Sequence, residues 1–407
     1  MMKMIDPRGP LGLYLHIPFC KERCSYCDFL TFPHAEDLKA PYIEALCREL
    51  ETFARRGFFK PYFVDTIYLG GGTPSILPAP LLEKLLTAIR KYVPFGPEGG
   101  PREWTLEANP GDLTGDKIES LREGGINRIS LGLQTLNPSL LSLCNRFYGE
   151  EEICRDLEDL QKAGIRRVSF DYIYGLPGQT TEDIDKDLSF IKKTRPGHIS
   201  WYGLILEEKT LLKYWIDKKK IVPLTEDQEL FLMKRAFEGL ENLGYRRYEI
   251  SNFAFEGEES IHNLKYWSGE EYLGLGLGAS SYIRKERFTE TRNLHLYVKE
   301  AMEGKISWIW EKRRAEDDLF EQVMMGLRKI QGMDFADFEE KNGRSLLSYG
   351  GNFFKKAREE GLLDWNTERV WLSPRGLDLQ NLFLTNFLIF LESRNKTAPD
   401  FPREENL

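Results

Sequence analysis

Along the chain, short apolar runs alternate with amphipathic stretches. The runs Leu13–Ile17, Val64–Leu69, Trp104–Ala108, Arg128–Leu133, Arg167–Tyr174 and His198–Leu204 have the length and composition of strands. Between them, Pro41–Ala54, Pro80–Tyr92, Thr114–Glu123, Glu150–Ala163 and Glu182–Lys193 read as helices. Strands separated by helices of this length make βαβ units around a parallel sheet, so the predicted class is α/β, with a partial or full (β/α) barrel. Barrel chemistry collects at the C-terminal ends of the strands. The segments that directly follow the apolar runs are therefore the ones to read for function.

The pattern changes toward the C-terminus. Asn293–Glu303 reads as a connecting helix, and Glu311–Gly326, Phe335–Asn342 and Leu347–Glu360 as further helices. Two short apolar runs, Leu362–Trp365 and Arg369–Leu372, then flank a polar turn. Helices followed by a hairpin predict a smaller α+β domain of winged-helix-like type. The expected organisation is a core at 1–290, a connecting segment at 291–310, a C-terminal domain at 311–395 and a flexible tail at 396–407. Winged helices often bind DNA, but Glu359, Glu360 and Asp364 make these surroundings acidic, which favours docking to the core or to a protein partner.

Composition narrows the classes. With 407 residues, 41% hydrophobic and 13% aromatic, the chain can bury a large core. No stretch approaches the roughly 20 apolar residues that cross a bilayer, and the run Leu382–Leu391 is too short, so it is expected to pack a terminal helix. Met1–Gly9 lacks the apolar segment of a secretory signal, which leads to a cytoplasmic expectation. Six cysteines in so long a chain do not form a disulfide scaffold. The net charge of −8 gives no support to nucleic-acid binding.

Three of those cysteines, Cys20, Cys24 and Cys27, fall in one run directly after the first predicted strand. Thiolates are soft ligands that suit iron–sulfur clusters and zinc. Zinc needs a fourth ligand, and His16 and His34 lack a second closely spaced Cys/His pair to complete a familiar site. A [4Fe-4S] cubane held by three thiolates keeps one iron open for a small molecule. The spacing resembles the signature of the radical S-adenosylmethionine (SAM) superfamily, in which the open iron chelates the methionine end of SAM and one electron cleaves the sulfonium. Cys47, Cys144 and Cys154 are scattered and read as packing residues.

Other polar groups share the rim. Gly70-Gly71-Gly72-Thr73-Pro74-Ser75 follows the second strand, where missing β-carbons allow close backbone approach or unusual dihedrals. The third strand ends at Glu107-Ala108-Asn109-Pro110, the fourth at Gln134, and the fifth runs through Asp171 into Tyr174–Gln179. A carboxylate accepts two hydrogen bonds and so suits a ribose diol, which singles out Glu107. For Gln134, Arg146 and Asp171 a solvated rim or a salt bridge is the competing reading.

Taken together, Tyr14–Cys20, Gly70–Ser75, Glu107–Pro110 and Asp171–Gln179 resemble the oxygen-independent coproporphyrinogen III oxidase family of radical SAM proteins. Tyr245–Ala254 and His262-Asn263-Leu264-Lys265-Tyr266-Trp267 resemble its HemW branch, described as haem chaperones, and Met325-Gly326-Leu327-Arg328 resembles the family's second-domain signature. The resemblance implies that Cys20, Cys24 and Cys27 hold the cluster, and that Tyr14, Gly71 and Glu107 contact the SAM on it. Tyr26, Gly72, Thr73, Gln134, Arg146 and Asp171 match a second SAM-binding set of the oxidase. Two departures stand out: Arg146-Phe147-Tyr148 replaces an Arg-x-His pattern, and Ser280 stands where the family often has histidine.

The oxidases also carry a fourth cysteine where this chain has Phe29, and a longer segment before the cysteines than the 19 residues here. Both differences favour a haem chaperone that passes haem to a recipient haemoprotein, with coproporphyrinogen oxidation as the alternative and an unrelated radical reaction as a third reading. His262, beside Tyr266 and Trp267, offers an axial imidazole for haem; a histidine hydrogen-bonded within an aromatic cluster fits the same pattern. A homodimer and a peripheral membrane contact stay open as further partners.

Overall fold

The computed structural model describes residues 8–395, so the expected tail at 396–407 and the first seven residues of the expected core lie outside the described residues. The chain divides into two compact units. The first takes the residues up to Arg247 with Ser251–Lys265 and Glu270–Glu311; the second takes Tyr248–Ile250, Tyr266–Gly269 and the residues from Lys312 onward.

In the first unit, β1 (Gly9–Ile17), β2 (Tyr62–Gly71), β3 (Glu103–Ala108), β4 (Arg128–Gln134), β5 (Arg167–Tyr174) and β6 (His198–Gly203) lie side by side in chain order, all parallel. β7 (Asn252–Ala254) adds antiparallel to β6, and β8 (Tyr272–Leu275) adds parallel to the free side of β1. Three antiparallel strands, Ser280–Ile283, Glu286–Glu290 and Trp308–Trp310, extend the sheet beyond β8. No pairing among the described residues joins the outermost strands, so the barrel is partial and not closed.

The strands have two different faces. Leu11, Leu13, Leu15 and Ile17 of β1, Ile67 and Leu69 of β2, and Ile129, Leu131 and Leu133 of β4 are fully buried in one core with Ile43, Leu46 and Leu50 of α1 (Glu36–Arg55) and Leu82 and Ile89 of α2 (Ala79–Tyr92). The alternate positions are polar and meet each other inside the barrel. Arg128 Nη1 donates to Thr105 Oγ1 at 3.4 Å, Ser130 Oγ to Asp171 at 2.9 Å, and Ser169 Oγ lies 2.7 Å from His198 Nδ1. A period of two thus sends apolar side chains out to the helices and polar ones into the lumen.

All six predicted strands and the five helices between them are present, with shifted ends. α1 starts at Glu36 and carries Pro41 inside it, with Glu36 and Asp37 supplying negative charge to its first turn. The alternation does not anticipate the helix Glu226–Asn242, because Leu230 and Phe231 lie on its exposed side and blur the apolar stripe. Its start is nonetheless written in the chain, since Thr225 and Gln228 form a reciprocal capping box.

The stretch 291–310, expected as a connector, packs within the first unit. Its helix Leu294–Met302 places Tyr297, whose hydroxyl donates to Glu49 at 2.6 Å, and Arg56 donates to Gly304 O at 2.8 Å. Glu49 also accepts from Gly276 N at 3.0 Å, in the turn after β8, and Tyr42 ties Leu277 N to His16 O through its hydroxyl. Glu290 lies in the same buried cluster. Burial, and for Glu290 the neighbouring Glu49 charge, push both carboxyls well above the ordinary range.

In the second unit, helices Ala315–Gly326, Phe335–Asn342 and Leu346–Glu359 precede a hairpin in which Leu363 pairs with Leu372 and Trp365 with Val370. A terminal helix, Gln380–Asn395, follows. Its Phe383, Phe387 and Leu391, four residues apart, are buried with Phe354, Val323 and Leu319 in a core of their own, as expected for the run 382–391.

The Glu49–Glu290 cluster sets a pH dependence. Both groups favour the protonated form when folded, so their contribution is fully present below the unfolded carboxylate pKa and is lost as pH rises through the raised folded values. Thermal unfolding followed from about pH 6 to about pH 9 is expected to show falling stability in the native chain and a smaller fall in Glu290→Gln, which keeps the shape and cannot ionise.

Candidate functional site

The cysteine loop leaves the end of β1 and is pinned on several sides. Phe19-Cys20 pairs with Phe32-Pro33 as a short parallel bridge, closing the loop on itself, and buried Phe19 packs edge-on to Tyr42 with centroids 5.3 Å apart. Ser25 Oγ donates to Leu143 O at 2.6 Å, and Leu212 N donates to Ser25 O at 2.8 Å. A turn from Cys27 N to Cys24 O at 3.2 Å brings the last two thiols round.

The glycine run supports this loop from beneath. Gly72 N donates to Ile17 O at 2.9 Å and Thr73 N to Phe19 O at 2.8 Å, so the two backbones run in contact. A β-carbon on Gly72 would lie 2.5 Å from Phe19 O, and one on Gly71, whose φ is +114°, would lie 2.4 Å from His16 Nδ1. The requirement for glycine at both positions therefore comes from the chain's own packing.

All three thiols are free and line one cavity of about 160 Å³. Burial raises the pKa of Cys20, and pushes that of Cys27 up to about 11, so metal must displace protons from them. Thr73 Oγ1 donates to Cys20 Sγ at 3.7 Å and accepts from Asn109 Nδ2 at 3.3 Å. Arg146 Nε donates to Cys24 Sγ at 3.1 Å while its Nη1 donates to Asn109 Oδ1.

Of the residues singled out in the sequence, Tyr26, Gly71, Gly72, Thr73, Glu107 and Gln134 line this cavity. Arg146 and Asp171 line it as well. Glu107 accepts from Tyr68 OH at 2.8 Å and from Gly71 N at 3.1 Å, and burial followed by the Asp171 charge pushes its pKa up to about 7. Asp171 is likewise raised by burial. Gln134 sits where β4 shifts register, with φ of +56°, and Tyr148 OH donates to its Oε1 at 3.3 Å. Half-buried Tyr26 packs against Leu140, Cys144, Ile173 and Leu176. Tyr14 is not among the residues lining the cavity; it stands on β1 with its ring 6.3 Å from that of Tyr68 and its hydroxyl 3.0 Å from His16 Nδ1.

His262 lies elsewhere. It is 0% exposed, with Nδ1 2.9 Å from Thr66 Oγ1 and its ring stacked on Tyr68 at 5.4 Å. The helix Ile261–Ser268 that carries it is held at its start by Glu103, which accepts from Ile261 N at 2.9 Å and His262 N at 3.1 Å. Burial opposes the charge of Glu103, but the Arg128 guanidinium and the two N–H donors hold its carboxyl below the usual range. Burial lowers the His262 pKa to about 3, so the ring is neutral. In this arrangement it is the hydrogen-bonded aromatic-cluster histidine of the competing reading. Ser280, which stands in place of a family histidine, pairs with Thr289 in the antiparallel extension.

Motif reading passes over Ser130 and Gly132, which also line the cavity. Their signal is the strict alternation Arg128-Ile129-Ser130-Leu131-Gly132-Leu133-Gln134, in which every second residue is polar or glycine and faces the lumen.

Comparison with known proteins places this geometry. The Radical SAM superfamily model matches residues 14–191 and the HemN C-terminal domain model matches 314–379. The heme chaperone HemW of Lactococcus lactis subsp. lactis is 35% identical over 93% of this chain and 98% of its own length. The chain belongs to the HemW family of radical SAM proteins. HemW of Bacillus subtilis is 34% identical over 92% of the chain and 98% of that protein, and HemW of Escherichia coli 32% over 81% and 85%. The structure of E. coli coproporphyrinogen III oxidase, HemN, superposes with a TM-score of 0.80 at 23% identity, covering 95% of this chain and 91% of that one, which shows a shared fold. Membership of the superfamily implies a [4Fe-4S] cluster and SAM. Three free soft donors on one cavity wall fit such a cluster.

Two substitutions test the local packing. Gly72→Ala forces its methyl onto the Phe19 backbone, which cannot swing aside. It is expected to lower stability by about 2 kcal/mol or more and to reduce iron bound per chain after anaerobic reconstitution. His262→Ala opens a void beside Tyr68 and leaves Thr66 Oγ1 short of a partner, and should cost about 1–3 kcal/mol in urea unfolding with iron content unchanged.

Proposed function

We propose that this protein is a haem chaperone, which binds haem and delivers it to a recipient haemoprotein while carrying a [4Fe-4S] cluster and SAM in the barrel cavity. The observation that carries this reading is kinship to heme chaperones named HemW across nearly the whole of both chains, 98% of the L. lactis protein included. The likeness to HemN supports the fold and leaves the chemistry to the site. Phe29 adds to the reading: it is 62% exposed at the cavity, where the oxidases resembled above carry a cysteine.

In this proposal Cys20, Cys24 and Cys27 hold the cluster, which supplies a one-electron donor and an open iron when bound. Glu107, held by Tyr68 and Gly71 N, takes the ribose hydroxyls of SAM; Gly71 lines the cavity with it, and Tyr14, whose ring stacks on Tyr68, is the third contact of that set. With a pKa near 7, Glu107 keeps a proton in part of the population at neutral pH, so it can both accept and donate at that position. Tyr26, Gly72, Thr73, Gln134, Arg146 and Asp171, which line the same cavity, are the set that would hold a second SAM. His262 takes part in haem binding only if the segments that bury its ring, 0% exposed, move apart; its Nδ1 contact with Thr66 is compatible with coordination through Nε2. The partners in this reading are haem and a recipient haemoprotein, with a homodimer and a peripheral membrane contact secondary. No helix among the described residues is long and apolar enough to cross a membrane.

The test uses one anaerobically reconstituted preparation. Haem titration followed by mixing with an apo-haemoprotein is expected to show binding and transfer, and incubation with coproporphyrinogen, SAM and reductant is expected to show no decarboxylation. Absence of haem binding in every cluster and SAM state, or substrate-dependent decarboxylation, overturns the proposal.

A further inference from the structure

Arg146 stands apart from the other cavity residues. Its Nε donates to Cys24 Sγ at 3.1 Å and its Nη1 donates to Asn109 Oδ1, so both faces of its fork are engaged, one on a thiol and one on a neutral amide. Those two partners are neutral, and no carboxylate among the described residues pairs with it. Arg23, the other guanidinium at the cavity, is exposed and bound to the Cys27 carbonyl, where water screens it. A guanidinium is always charged, and a sheltered cation without an anionic partner is costly. The negative charge that answers Arg146 is therefore the one that the three-cysteine loop acquires on taking up its cluster.

We infer that Arg146 is the counter-ion of the cluster and sets its reduction potential through Cys24. This rests on the cofactor assignment of the proposed function and gives Arg146 a task distinct from contacting SAM. The argument is electrostatic. The three thiolates leave the cluster assembly net negative, and one electron from an external one-electron reductant makes it more negative, with no bond made or broken. A fixed cation hydrogen-bonded to a ligand sulfur stabilises the reduced form more than the oxidised form, which raises the potential. Asn109 is the positioning residue: its amide holds the guanidinium against Cys24 without neutralising it, and Thr73 Oγ1, which accepts from Asn109 Nδ2 at 3.3 Å, holds the amide in turn.

The experiment is a dithionite potentiometric titration of the reconstituted full chain followed by electron paramagnetic resonance, with iron and acid-labile sulfide counted per chain. In Arg146→Met the ratio of reduced to oxidised cluster at a fixed potential is expected to fall by about tenfold, a shift of about 59 mV for one electron. Arg146→Lys keeps the charge without the fork and should fall between the two. Asn109→Asp leaves Arg146 in place but sets a carboxylate on Nη1, and should shift the potential in the same direction as Arg146→Met. Unshifted potentials in Arg146→Met and Asn109→Asp at full iron content overturn the inference. Loss of the cluster from both Arg146→Lys and Arg146→Met also overturns it, because the residue is then a prop of the loop. A native chain that shows haem transfer and an unshifted variant series sinks this inference alone, whereas a native chain with no reducible cluster sinks the cofactor assignment with it.

Discussion

The backbone contact between Gly71–Thr73 and Ile17–Phe19 is the constraint on which the site depends. Two hydrogen bonds, from Gly72 N and Thr73 N, hold the end of β2 against the root of the cysteine loop. There is no space between them for a side chain. The glycine run thus fixes where the three thiols emerge, and the same segment presents Gly71 N to Glu107 and Thr73 Oγ1 to Cys20. The cluster ligands, the carboxylate at the end of β3 and the β2 turn become one rigid assembly because a β-carbon is absent at two positions.

That assembly sits at the mouth of a barrel with a polar interior. Hydroxyls, carboxylates, His198 and Arg128 fill the lumen, and each buried charge has an answering group. Glu103 has helix N–H donors and the Arg128 and Arg167 guanidiniums; Lys265 has Asp65 at 3.0 Å and Glu270 at 2.8 Å. Such a network is stable only when its members are all satisfied. It explains why His262 is used as a hydrogen-bonded floor residue even though it carries a motif-like setting in the chain. The Arg146 fork is the exception, engaged by a thiol and an amide, and in our inference its anion is the thiolate-bound cluster.

The fold and the function are separate conclusions. The barrel and the C-terminal domain are shared with a porphyrinogen oxidase at 23% identity, so architecture alone does not choose between haem carriage and substrate oxidation. Kinship over 93% of the chain is what the proposal of haem carriage rests on; of the residue differences, Phe29 lines the cavity and Tyr148 donates to Gln134, which lines it.

Much was legible in the chain itself. Three cysteines spaced for a soft metal centre, strand-length runs separated by helix-length ones, and a terminal helix at 382–391 all follow from local pattern, because side-chain periodicity and ligand spacing are properties of neighbouring residues. The polar alternation Arg128–Gln134 was equally present, though its meaning needed the knowledge that the opposite face is covered by helices. What only the tertiary structure decided is contact between residues far apart in sequence. Gly72 meets Phe19, Arg146 turns its Nε to Cys24, the stretch 291–310 folds back on Glu49, and His262 closes on Thr66. Each is set by how strands and helices pack, where one residue's conformation depends on partners that no local window contains.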